Sequence, residues 1–356
     1  MSHELQKINV SRNDSEWSVE VSAEIPADVL RTHREEALKE IQREAKLDGF
    51  RPGKAPLDRI LAVYGEVAIM RKAAEHAIQH ALPELLASEN LLVIETPRVE
   101  TENPEAGKPL SFTARAALAP QVTLPDYKQV AINQTTVKEE VSVSDNEHKE
   151  ALTHFRRERA RISKMEAGLE PQKAHEESRA MKPEELPALD EAFVRSLGME
   201  SVEKFSDAVR ENIKNEKTLR AREKVRGAIL DELVRTSTVF FPALLREYEL
   251  NDMEARIKHD LEQSGASFDA YLAQTKKTRE QLRGEWKEAA DKRAKVRLIL
   301  AEIARKEGIQ PDEKRLEQEL DHAKKHVPNA DPEALRTHIS HALRNEKVLE
   351  FLESQK

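Results

Sequence analysis

Between two stretches of helical spacing the sequence reads Gly49-Phe50-Arg51-Pro52-Gly53-Lys54. Two glycines and a proline so close together deny the segment a helix, because glycine favours left-handed turns and proline lacks the amide proton a helix interior needs. The turn carries a large apolar ring and two cations, in a chain whose formal net charge is -8. A ring at the tip of a solvated turn is disfavoured unless something covers it, so the chemistry points to a docking tip.

Working outward, Leu30, Ala37, Leu38, Ile41 and Ala45 recur at three- and four-residue spacing before the turn, and Leu57, Ile60, Leu61 and Tyr64 do so after Pro56. These are two helices, the second interrupted at Gly65 and continuing to about Ser88. Upstream, Trp17, Val19, Val21, Ala23 and Ile25 alternate with polar residues as in a half-buried strand, preceded by a weaker strand around Ile8 and Val10. Downstream, a strand near Val99 and the alternation of Leu110, Phe112, Ala114, Ala116 and Leu118 complete an α+β unit of order strand, strand, helix, helix, strand, strand.

Pro120 and Pro125 mark a change of organisation, after which Val122, Leu124, Tyr127, Val130 and Ile132 are expected to form an extended, partly paired connection. Ser144-Asp145-Asn146-Glu147 has the form of a capping box, and Leu152, Phe155 and Ile162 form an apolar stripe behind it. Residues 164–187 are polar, hold three prolines and offer no aromatic residue, which predicts a linker without a core of its own. From Leu186 the spacing is helical to the end, with a restart at Phe241-Pro242 and a break at Gly308 and Pro311. The expected architecture is an α+β N-terminal domain followed by an extended all-α multi-helix domain, a multi-domain and elongated molecule. Its boundaries are 1–119 for the first domain, 120–163 for a linker and first arm helix, 164–187 for the polar linker and 188–356 for the helical domain.

At 356 residues, with 38% hydrophobic, 35% charged and 4% aromatic residues, the chain suits thin helical elements better than one compact enzyme core. The absence of cysteine excludes disulfides, thiol nucleophiles and thiolate metal sites. No secretory signal or membrane-span pattern is visible, so a cytoplasmic location is expected. The turn is no phosphate loop: only three residues separate its glycines, Ala55 stands where a hydroxyl is needed, and a helix precedes it. The histidine pairs His76/His80, His322/His326 and His338/His341 have metal-compatible spacing without a third ligand, so no metal and no cofactor is expected. The clusters Arg156, Arg157, Arg159, Arg161 and Lys287, Lys292, Arg293, Lys295, Arg297 read as solvated helix faces paired with neighbouring glutamates. No acid/base couple or catalytic triad stands out.

Taken together, these residues resemble the trigger factor family of bacterial ribosome-associated chaperones. Gly49-Phe50-Arg51-Pro52-Gly53-Lys54 is similar to that family's ribosome-binding signature, G-F-R-x-G-K, at the expected place. Further likeness lies in Ser201-Val202-Glu203-Lys204-Phe205, Val209-Arg210-Glu211-Asn212-Ile213, Phe241-Pro242 and Lys292-Arg293-Ala294-Lys295-Val296. The resemblance implies that Gly49, Phe50, Arg51, Pro52, Gly53 and Lys54 dock on an exit-tunnel protein of the large ribosomal subunit and on adjacent rRNA. It also implies that the helical domain binds nascent or unfolded polypeptides without ATP. Members usually carry an FK506-binding-protein-type proline isomerase domain where residues 164–187 stand here, so no catalytic residue carries over and isomerase activity is expected to be absent. Rival expectations are the isomerase itself and a SurA-like peptide-binding chaperone. Weak homodimerisation, known in some members, stays open.

Overall fold

A computed structural model of the protein describes residues 5–51, 53–136, 141–327 and 331–355. Pro52, singled out above in the turn, lies outside the described residues, as do residues 1–4. In chain order the first elements are β1 (Gln6–Asn13), β2 (Ser18–Ile25), α1 (Ala27–Glu44), α2 (Leu57–Ser88), β3 (Arg98–Thr101) and β4 (Leu110–Ala117). Next come β5 (Gln121–Thr123), α3 (Tyr127–Thr135), α4 (Asp145–Glu166), α5 (Pro171–Ala180), a 3-10 turn (Pro183–Glu185), α6 (Glu191–Ser196), α7 (Val202–Thr236) and β6 (Thr238–Phe240). The last are α8 (Ala243–Gln263), α9 (Phe268–Thr275), α10 (Arg279–Glu307), α11 (Glu313–His326) and α12 (Pro332–Glu353). An α+β region is thus followed by a helical one. The compact units are nevertheless not consecutive stretches: Met1–Leu124 clusters with Thr236–Gly308, and Pro125–Arg235 with Ile309–Lys356.

In the first unit, β1, β2, β4 and β3 form an antiparallel sheet in that order. Strict alternation places Val19, Val21, Ala23 and Ile25 of β2 on one buried face, opposite Leu110, Phe112, Ala114 and Ala116 of β4. Met70, Ala74, Ala77, Ile78, Ala81, Leu82, Leu85 and Leu86 of α2 complete that core. The alanines keep the helix close to the sheet, and each fully buried large apolar side chain contributes about 1.5–3 kcal/mol. The expected interruption is real: Gly65 takes a non-helical φ of 74° inside α2. Trp17, expected within the strand, sits just before it at φ 50°. Its indole Nε1 donates to the Ala119 carbonyl at 2.8 Å, and its ring stacks on Phe240 at 4.7 Å. Phe240 belongs to β6, which pairs antiparallel with β5. That strand falls where helices alone were expected, because three residues are too few for a visible period.

The α8 and α10 helices of this unit are joined by charge. Glu249 and Glu254, exposed by only 2% and 3%, sit among arginines of α10. Glu249 accepts from Arg293 and Arg297, each at 3.0 Å, and Glu254 from Arg279 at 2.9 Å and Arg283 at 3.0 Å. Arg293 and Arg297 were expected to face solvent beside neighbouring glutamates; both instead share the buried Glu249 carboxylate of another helix. A buried carboxylate must be paired, so α8 and α10 are held in register by the same groups that exclude water from them.

In the second unit, α4 starts with the expected capping box, the Ser144 hydroxyl accepting from the Glu147 amide and the Glu147 carboxylate accepting from the Ser144 amide. Phe155 packs edge-on against Phe205 of α7 at 5.0 Å, within a cluster holding Phe193, Val194 and Val209. Two local expectations change. Tyr127–Ile132 is helical, not extended, because the Asp126 side chain caps it by accepting from the Gln129 amide. The polar segment 164–187 contains α5, with Pro171 in its first turn, packed against α4 through buried Ala174 and tied by Lys164 to Glu177 at 2.6 Å. Helix α7 is tied to α12 by Arg222 and Arg226, which hold Glu353 at 2.7 and 2.8 Å.

Candidate functional site

The turn between α1 and α2 rests on a small core of its own. Ala45, Ala55 and Ile60 are buried there, packed by Leu38, Ile41 and Leu47. The Gln42 side chain donates to the Ala55 carbonyl at 2.6 Å, strapping the returning chain to α1. Above that base two backbone turns follow, Phe50 N–H to the Leu47 carbonyl at 3.1 Å and Lys54 N–H to the Arg51 carbonyl at 3.0 Å. Gly49 and Gly53 have φ of 86° and 79°, the left-handed region that costs an L side chain about 1–2 kcal/mol.

The result is a tip whose ring faces water. Phe50 is 42% exposed, and Arg51 and Lys54 in the same turn are exposed too, neither in an ion pair with any described residue. Five of the six residues singled out from sequence can be placed, and the fold brings them together on one tip. The sequence reading missed a second contribution. Leu57, Val63, Tyr64 and Val67 of α2 are also exposed, beside Ile60, which is fully buried. Their signal was present, since apolar residues at 57, 60, 61, 63, 64 and 67 are more than one buried helix face can use.

Behind the tip α1 and α2 are locked by ion pairs. Arg34 donates to both oxygens of Glu66 at 2.6 and 2.7 Å, a fork that holds the Glu66 carboxyl below its usual range despite the opposing effect of burial. Glu40 accepts from Lys72 at 3.2 Å and contacts His76 at 2.6 Å, and the Lys72 hydrogen bond above all lowers its pKa. His76 is therefore engaged by a carboxylate, while His322 and His326 pack ring to ring at 4.7 Å. Among the described residues no group of three or more His, Cys, Asp or Glu is arranged to hold a metal ion, and no helix is long and apolar enough to cross a membrane.

A second candidate surface lies in the other unit, where a cavity of about 540 Å³ is lined by Thr135, Val141, Ala221, Val225 and Ala228 together with Arg222, Lys224 and Glu353. Small apolar groups beside three charged ones suit short apolar segments of varied sequence.

The family described as bacterial trigger factor protein (TF) matches residues 6–155, and the one described as its C-terminus matches residues 201–355. The chain belongs to the trigger factor family. The trigger factor of Caldicellulosiruptor bescii is 24% identical over 366 positions, covering 83% of this chain and 82% of that protein. That of Halothermothrix orenii is 22% identical over 430 positions, covering 98% of both. The latter alignment is longer than the chain, so this relative has stretches without a counterpart here. A solved structure from work on promiscuous substrate recognition in the folding and assembly activities of the trigger factor chaperone covers 98% of this chain and 100% of its own. It superposes with a TM-score of 0.54 at 16% identity, a likeness of fold. Residues 156–200 lie between the two trigger factor matches and hold the rest of α4, then α5, the 3-10 turn and α6, with no strand. This is consistent with a trigger factor lacking an inserted isomerase domain.

Proposed function

We propose that the protein is an ATP-independent, ribosome-associated chaperone of the cytoplasm that shields nascent chains. The carrying observation is the tip: an exposed phenylalanine in one turn with exposed Arg51 and Lys54, neither paired with a carboxylate among the described residues, on a loop whose shape two left-handed glycines define. Such a tip binds a ribosomal-protein surface by covering the ring and reaches rRNA phosphates by charge-assisted contacts. Affinity of this kind is modest and falls with salt. Leu57, Val63, Tyr64 and Val67 extend the apolar part of the contact. Clients then meet the helical surfaces, where scattered apolar side chains among charges allow many brief contacts, the cavity beside Val225 among them.

The test is co-sedimentation with ribosomes at low and moderate salt, comparing the intact chain with the triple variant Phe50→Ala, Arg51→Ala, Lys54→Ala. Losing an aromatic anchor and two cations should weaken binding roughly 100-fold. Equal pelleting of both proteins would sink the docking reading. A separate assay follows aggregation of an unfolded client without ribosomes, where the triple variant should protect as well as the parent.

A further inference from the structure

We propose that the cleft between α4 and α5 is a binding site for a single phosphoryl group. Positions 154, 157, 158 and 161 share one face of α4, and 175, 178 and 179 share one face of α5. Buried Ala160 and Ala174 keep the backbones close, and the longer side chains enclose a cavity of about 200 Å³. Arg157, Arg161, Arg179, His154 and His175 line it, against one carboxylate, Glu158.

The cations on this helix divide by task. Arg156 donates to the Leu186 and Pro187 carbonyls, and Arg159 lies over the Phe193 ring and beside Asp190, so both hold the fold. Arg161 forks onto Glu158 and cancels its charge. Arg157 and Arg179 have no carboxylate partner among the described residues, and the Arg157 Nε is buried without any hydrogen-bond partner. A buried N–H left unpaired is unfavourable, and an oxyanion in the cleft would satisfy it through charge-assisted bonds. Donors from two helices approach from different directions, as a tetrahedral oxyanion requires. The cleft is smaller than the roughly 300 Å³ at which small-molecule sites begin, so it admits the phosphoryl group and leaves any attached organic part outside. All of these residues except His154 fall between the two family matches.

The test is an NMR titration of the imidazole resonances with inorganic phosphate at constant ionic strength, chloride being the balancing anion. His154→Gln and His175→Gln supply the assignments. Saturable shifts at those two rings, weakened at least tenfold by Arg179→Gln at an exposed position and by Arg157→Gln, but retained in Arg157→Lys, would establish the site. Shifts that grow linearly without saturation, or a curve unchanged by Arg179→Gln, would overturn it. A mixed-sequence RNA oligonucleotide in a parallel titration separates the sources: tighter saturation of the same resonances than by phosphate assigns a nucleic-acid backbone, and weaker or none assigns the free anion.

Discussion

At the scale of single residues, the tip shows that a side chain's exposure is set by its backbone neighbours. Phe50 faces water beside Gly49 and Gly53, whose left-handed φ values of 86° and 79° strain any residue with a side chain. An added Cβ at Gly49 meets nothing within 4 Å, so a substitution there acts through conformation alone. Gly49→Ala should therefore cost about 1 kcal/mol in the docked loop shape while leaving the sheet core intact. Ribosome pelleting would fall several-fold while the thermal unfolding of the unit barely moves; unchanged pelleting would count against a preformed tip. Phe50, Arg51 and Lys54 were legible in the sequence because turn chemistry and an exposed ring conflict locally. Leu57 and Tyr64 were less so: a helical spacing says that a face exists without saying what covers it.

Helices and strands were legible where their period is long enough to count. The alternation from Val19 to Ile25 and the capping box at Ser144 both have their expected structures. The pairing of α8 with α10 was not legible, because the charges that join them look like ordinary surface until Glu249 and Glu254 are seen to be buried. Burial pushes the Glu254 carboxyl up, but hydrogen bonds from Lys258, Arg279 and Arg283 outweigh it and bring it down to about 2. Its contribution is therefore complete above the ordinary carboxylate pKa of about 4.3 and is lost as pH falls toward 2. Glu254→Gln should lower the unfolding temperature clearly at pH 7 and hardly at all at pH 2. An equal difference at both values, followed by circular dichroism, would contradict this account. Arg293→Met leaves Glu249 with Arg297 alone and should cost about 2 kcal/mol, less than a fully buried pair because both arginines are partly exposed.

For the whole molecule, linear order and spatial order differ. Composition and resemblance foresaw an α+β region ahead of helices, yet the first compact unit takes in Thr236–Gly308 as well as the N-terminal residues. No periodicity encodes such a return; it rests on contacts as sparse as Trp17 on Phe240 and three residues of β5 on three of β6. The stretch between the two family matches carries helices and no strand, so the intact chain should add nothing to the isomerisation rate of a proline peptide. A rate above that of buffer would show that catalysis resides elsewhere in the chain.

The pairing of β5 with β6 has a consequence for synthesis. Thr123 lies opposite Thr238, so β5 leaves the ribosome long before its partner exists. At translation rates of about 5–20 residues per second, this strand would wait roughly 6–23 s for its partner, and the indole face of Trp17 roughly 11–45 s for Phe240. During that interval the nascent protein is itself an incompletely folded chain, with one short strand edge and one aromatic surface open. A protein proposed to guard such chains thus begins its own life as one of them.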